Sequence, residues 1–264
     1  MKKNLILAFA LAAACQVNAQ PNGQNLQWLR WSAISPDGKQ IAFTYSGDIY
    51  TVPVAGGQAR QLTANTAYDY APVWSPDSKH IAFSSAREGS KDVYITSVEG
   101  GTPKRLTTHS GNEVPVAFLN NKEIVYSSYG TPTTSNMQFP SGTYTHLYKV
   151  SVEGGRPALY SDWTMDNPNF SDKGVLYEDV KGYEDYWRKH QQSSIARDIW
   201  LFDGTNYKKM TTFKGDDRSP VWAKDGKSFY YLSEQKGSFN IFKRTLDGAK
   251  DVQLTFHKNN RFVF

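Results

Sequence analysis

Hydrophobic positions along this chain fall into short alternating or continuous runs separated by Pro-Asp-Gly, Gly-Gly or Gly-Asp chemistry, which predicts brief β-strands joined by tight turns. The runs repeat. Ala33-Ile34-Ser35-Pro36-Asp37-Gly38 leads into Ile41-Ala42-Phe43, Asp48-Ile49-Tyr50, Gly56-Gly57 and Leu62-Thr63. Val73-Trp74-Ser75-Pro76-Asp77 leads likewise into Ile81-Ala82-Phe83, Asp92-Val93-Tyr94-Ile95, Gly100-Gly101 and Leu106-Thr107, the closing Leu-Thr falling 44 residues further on. A looser third unit runs from Val116-Ala117-Phe118 through Ile124-Val125-Tyr126 and His146-Leu147-Tyr148 to Gly154-Gly155 and Leu159-Tyr160. The fourth uses Phe170-Ser171-Asp172, Val175-Leu176-Tyr177, Asp198-Ile199-Trp200 and Met210-Thr211. The fifth uses Val221-Trp222, Asp225-Gly226, Phe229-Tyr230-Tyr231, Asn240-Ile241-Phe242 and Leu254-Thr255.

Four strand-like runs per unit predict an all-β fold, a β-propeller of four-stranded WD-like blades. The five complete blades span about 33–63, 71–107, 114–160, 167–211 and 219–255 of a propeller domain covering 33–264. A blade cannot bury both its faces alone, so neighbours must stack around an axis. The aromatic residue recurring on the first strand (Trp74, Phe118, Phe170, Trp222) is expected to fill the gap between blades. A solenoid also repeats, but with shorter units and fewer turn signals in each. Residues 256–264 read as the entry to a sixth blade, with Arg261-Phe262-Val263-Phe264 as its innermost strand, so the expectation is an open, incomplete ring and a truncated chain. The alternative is a five-bladed ring closed by Leu26 to Trp31 and the last residues.

The first residues address the protein. Lys2 and Lys3, an apolar run from Leu5 to Ala14 and Val17-Asn18-Ala19 have the form of an export signal (1–19) cleaved after Ala19, leaving a lead-in segment at 20–32. The run is too short to span a bilayer and no later stretch replaces it, so a periplasmic protein without a transmembrane segment is expected. A lipid anchor on Cys15 and secretion are the alternative routes. Cleavage at Ala19 removes that one cysteine, and with it disulfides, thiolate metal sites and thiol nucleophiles.

Composition adds little beyond this. Aromatic residues make up 14% of the chain, in keeping with many short strands. Without Lys2 and Lys3 the chain carries 28 basic against 25 acidic residues, scattered among the turns, so nucleic acid is not an expected partner. The histidines (His80, His109, His146, His190, His257) lack ligand spacing, and neither a metal nor another cofactor is expected.

The paired Ser-Pro-Asp and Leu-Thr signatures resemble the WD-type propeller repeats of the tricorn-like peptidases and of the TolB proteins. Tyr183-Glu184-Asp185-Tyr186-Trp187-Arg188-Lys189-His190, continuing to Trp200, is similar to a segment of the N-terminal propeller of exported bacterial tricorn-like peptidases, and Asp216-Asp217-Arg218-Ser219-Pro220-Val221-Trp222 adds to the match. The resemblance implies a first propeller of six blades, followed in that family by a second propeller, a PDZ domain and a serine-peptidase domain of the tail-specific class. The family's catalytic residues belong to that last domain, so no residue here inherits a catalytic role. The implied function is a non-catalytic module that gates or guides substrate or product peptides. A stand-alone TolB-like interaction scaffold is the main alternative, although 20–32 is too short for the extra domain of TolB proteins. The propeller of a prolyl-oligopeptidase-like enzyme is a third.

An independent active site has little support. Glu184, Asp185, His190, Ser193 and Ser194 supply the side chains of a hydrolytic triad, but nearness in sequence is not geometry, and no Gly-x-Ser-x-Gly occurs. Arg188 and Arg197 are expected to pair with Glu184, Asp185 or Asp198. Binding is expected at the loops, of which Gly130 to Thr145 and Asp179 to Arg197 are the longest. Acids precede the proline of several first strands: Asp69 before Pro72, Glu113 before Pro115, Asp166 before Pro168 and Asp217 before Pro220. With Arg188 and His190 they are the candidate channel-mouth contacts for peptides or a protein partner, against the plainer reading that the acids cap turns.

Overall fold

The structure is a computed structural model and describes residues 28–129, 145–161, 163–182, 190, 192–248 and 250–259. The expected signal (1–19), most of the lead-in, Arg188 and the expected sixth-blade strand Arg261–Phe264 lie outside these residues. Among the described residues twenty strands and no helix build five antiparallel sheets of four. The first holds β1 (Arg30–Ile34), β2 (Gln40–Tyr45), β3 (Asp48–Pro53) and β4 (Arg60–Gln61). The second holds β5 (Asp69–Trp74), β6 (His80–Glu88), β7 (Ser90–Ser97) and β8 (Lys104–Arg105). The third holds β9 (Glu113–Asn120), β10 (Glu123–Ser128), β11 (His146–Ser151) and β12 (Ala158–Ser161). The fourth holds β13 (Met165–Ser171), β14 (Gly174–Asp179), β15 (Ile199–Phe202) and β16 (Tyr207–Lys209). The fifth holds β17 (Asp217–Trp222), β18 (Ser228–Ser233), β19 (Asn240–Thr245) and β20 (Asp251–Gln253). Each sheet is a blade read in chain order, and the first strands β1, β5, β9, β13 and β17 pack successively against one another in a propeller.

The recurring motifs are local hydrogen-bond devices. Ser35 donates its hydroxyl to Asp37 (2.6 Å) while that hydroxyl accepts from the Gln40 N–H (2.9 Å), and Ser75 repeats both bonds with Asp77 and His80. The turn needs a left-handed residue next, supplied by Gly38 (φ 72°) and, at a small conformational penalty, by Ser78 (φ 59°). The Leu-Thr pair locks the outer edge: Thr63, Thr107, Thr211 and Thr255 accept through Oγ1 from the N–H of Ile49, Val93, Ile199 and Ile241 at 2.9–3.0 Å.

Packing between blades follows the first-strand aromatics. Trp74 is buried among Ala42, Ile49 and Leu62 of the first blade and donates its indole N–H to the Ala33 carbonyl (2.9 Å). Phe118 packs on Val93 and Leu106 of the second blade, and Phe170 on the Val125 and Leu147 cluster of the third. Trp222 sits against Leu176 and Met210 and donates to the Asn169 carbonyl (3.0 Å). Ring and indole thus tie each blade to the one before. Among the described residues no comparable packing joins the fifth blade to the first.

Candidate functional site

The innermost strands build a channel. Four of them are bulged at one equivalent place: the register skips across Trp31, Ala71, Asn167 and Ser219, each in the left-handed region at φ 46–55°. Such a bulge bends the strand and re-aims its side chains and amides. A cleft of about 360 Å³ runs along these strands, lined by Trp31, Ala71, Pro72, Val114, Pro115 and Asp166 among others. Its wall is mostly apolar and carries proline, with Ser32, Ser127, Thr145 and Asn167 among its polar side chains.

Asp166 is the one expected acid on that wall. Half-exposed, it is bonded to the guanidinium of Arg197. Asp69, Glu113 and Asp217 instead open β5, β9 and β17 and are buried, at 0, 1 and 1% exposure. They stand opposite Ser85, Ser128 and Ser233 of the second strands. The exposed acidic collar therefore narrows to Asp166, because the strands begin earlier than the prolines suggest and draw the acids into the sheet. His190 is held by Glu234, whose Oε2 accepts from its backbone N–H (2.9 Å) and lies 3.3 Å from Nδ1. Ser193 and Ser194 line a separate cleft with Lys181, Lys209 and Asp198. Glu184 and Asp185, two of the acids expected to pair with Arg197, lie outside the described residues. Among the described residues Arg197 pairs with Glu178 (2.8 Å) and Asp166, while Asp198, the third expected acid, is held by Lys181 (2.5 Å) and Lys209 (2.7 Å).

Glu178 is the hub of this region, and nothing in the sequence pattern marked it. Fully buried, it accepts from Asn167 Nδ2 (2.7 Å), from the N–H of bulged Ser219 (2.6 Å) and from Arg197, joining the fourth blade to the fifth. Burial pushes its pKa up, and the neighbouring Asp166 adds to that, against the pull of Arg197.

The buried acids differ in how their charge is met. Two residues beyond Ser85, Arg87 reaches Asp69 at 2.5 Å. In the fourth blade the acid has moved across the strand pair, Asp179 facing Met165, and two residues further Lys181 lies 3.3 Å from it. At the same offset the third blade has Gly130 and the fifth has Gln235. There, among the described residues, no cation lies within ion-pair distance of the carboxyl: burial drives Glu113 and Asp217 each up to about 7. The hydroxyls of Ser233 and Thr211 lie near enough to favour ionised Asp217, yet neither carboxylate oxygen meets one in full hydrogen-bond geometry. The sequence signal, legible only with the register known, is the side chain two positions past the second-strand partner.

Among the described residues no group of three or more His, Cys, Asp or Glu is arranged to hold a metal, and no helix is long and apolar enough to cross a membrane.

Comparison with known proteins places the fold. Residues 27–262 match the family model of the tricorn protease N-terminal β-propeller domain. Tricorn protease homolog 1 of Streptomyces coelicolor is 26% identical over 220 residues, which cover 81% of this chain and 20% of that protein. The crystal structure of the tricorn protease superposes at a TM-score of 0.68 with 22% identity, covering 88% of this chain and 23% of the other. A putative TolB from Agrobacterium tumefaciens superposes at 0.64 with 17% identity, covering 85% and 79%. This chain thus spans about a fifth of its tricorn relatives' length.

Proposed function

Because this chain belongs to the tricorn N-terminal β-propeller family, we propose that it is a non-catalytic module that guides peptides through its channel to or from the active site of an exported, periplasmic peptidase. The observation that carries this reading is the channel wall itself. Val114, Pro115, Ala71 and Pro72 offer apolar contact without demanding a particular side chain, which suits extended peptides of varied sequence. Asp166, held half-exposed by Arg197, supplies one acid for a peptide amine or basic side chain. His190, and Arg188 outside the described residues, are further candidate contacts.

Fluorescence anisotropy with a mixture of short labelled peptides tests this reading. Binding is expected to the intact chain and to Leu159→Arg, which alters an exposed position of the outermost strand β12, and is expected to be lost in Val114→Arg, which fills the channel. Equal binding by both variants would sink the proposal. A stand-alone, TolB-like interaction scaffold is the second reading, favoured by the superposition covering 79% of a putative TolB. A folded partner captured by the intact chain in place of peptides is the outcome that would select it.

A further inference from the structure

Glu113 and Ser128 face each other across β9 and β10, both nearly fully buried at 1 and 2% exposure. Among the described residues Glu113 Oε2 and Ser128 Oγ have no hydrogen-bond partner. Both line a cleft of about 360 Å³ where the segment leaving the second blade meets the sheet of the third. Its wall includes the stacked rings of Tyr126 and Tyr148, 5.7 Å apart, and exposed His109 and Arg156 stand at its rim. In the second blade the equivalent carboxyl, Asp69, is met by Arg87, whose guanidinium also lies over the Phe83 and Tyr94 rings at 5.4 and 5.3 Å. The third blade keeps the acid and the paired aromatics and lacks the arginine.

We propose that this cleft binds a small organic cation, a guanidinium or primary ammonium group, which occupies beside Glu113 the place that Arg87 occupies beside Asp69. The charges around it suit that ligand. Asp92 on β7 lies against Glu113 and pairs with Arg105 on β8 at 2.7 Å, while Arg105 attracts Glu113 only weakly, so two carboxyls share one guanidinium. The Tyr126 phenol beside it is neutral, its pKa pushed up chiefly by burial. The tyrosine faces add cation–π attraction, and Arg156 at the rim is exposed to solvent, where its charge is screened. The site is distinct from the channel. Val114 and Ser127 line the channel, whereas Glu113 and Ser128, one position along each strand, are on the other face of the sheet. The inference therefore stands whether or not peptides pass the channel.

Because burial holds Glu113 near pH 7, the incoming cation must displace a proton. Calorimetric titration of the whole chain with agmatine, and separately with a blocked Gly-Arg-Gly peptide, tests the site. Expected are one site for agmatine, affinity rising about tenfold from pH 6 to pH 8, and release of about half a proton at pH 7. Glu113→Gln should abolish binding and Asp217→Asn should leave it unchanged. If Glu113→Gln does not fold, proton release by the unaltered chain still decides. Binding of the peptide as well as agmatine makes a peptide side chain the source of the cation, and binding of agmatine alone makes it a free small molecule. Absence of binding at millimolar agmatine, binding without pH dependence or proton release, or equal binding by Glu113→Gln overturns the proposal.

Discussion

The second and third blades share strand order, a Gly-Gly turn and an acid facing a serine at the head of the first strand pair, yet they treat that acid in opposite ways. Asp69 is closed off by Arg87 within its own blade, whereas Glu113 is left beside an open cleft with its pKa pushed to about 7. The fourth and fifth blades repeat the contrast with Lys181 at Asp179 and, among the described residues, no direct cation at Asp217. A repeat fold fixes where a carboxyl lies, because register and burial come with the blade. The side chain two positions past the second-strand residue of the acid's pair, at the strand's end or just beyond it, decides how that charge is met.

The largest effect is expected where the internal cation is removed. Arg87→Ala leaves Asp69 buried and unpaired, and should cost about 3–5 kcal/mol in urea unfolding at neutral pH. Asp69→Asn in the same chain should recover much of that loss; a loss that persists undiminished would mean that Arg87 acts through the rings of Phe83 and Tyr94 rather than through the charge.

The fifth blade offers the opposite experiment. The folded pKa of Asp217, about 7, lies above the ordinary carboxyl value. The stability associated with it is therefore complete below about pH 4 and lost as pH rises through about 7. Asp217→Asn cannot ionise and escapes the loss. Its advantage over the unaltered chain should be near zero at pH 4 and on the order of 2–4 kcal/mol at pH 8. Urea midpoints at the two pH values read this directly, and a constant difference between them would show that Asp217 is not the titrating group.

Much of this fold is written in local signals. Ser35-Pro36-Asp37-Gly38 and Leu62-Thr63 each satisfy their own backbone within a few residues or one hairpin, so their recurrence marks the blades without any knowledge of tertiary contacts. Trp74 and Trp222 are legible as inter-blade packing because a large aromatic on an innermost strand has only the neighbouring blade to bury it. The site was harder to read. Asp69 and Asp217 precede a proline as loop acids would, and the bulges at Ala71 and Ser219 that let the strand extend back to them have no sequence mark of their own. Spacing alone suggests acids close to Arg197 such as Asp198, but strand pairing brings it Glu178, 19 residues away, and Asp166, 31 residues away. Contacts made by register escape a reading based on spacing.

The smallest expected effect lies in the fourth blade and separates redundancy from mere exposure. Lys181 is one-third exposed and bridges Asp179 and Asp198, donating also to the Ala196 carbonyl at 2.5 Å. Lys209 stands 2.7 Å from the same Asp198, so that acid keeps a cation when Lys181 is gone. Asp179 keeps donors as well, from the Asp198 N–H at 2.7 Å and the Trp200 indole at 3.0 Å. Lys181→Met should therefore cost only about 1 kcal/mol, well short of Arg87→Ala. Adding Lys209→Met removes the second cation and should carry the loss beyond the sum of the two single changes, since each lysine covers for the other. Simple additivity would mean that Asp198 leans on neither ammonium, and that backbone donors hold the fourth blade's acids where the second blade uses a guanidinium.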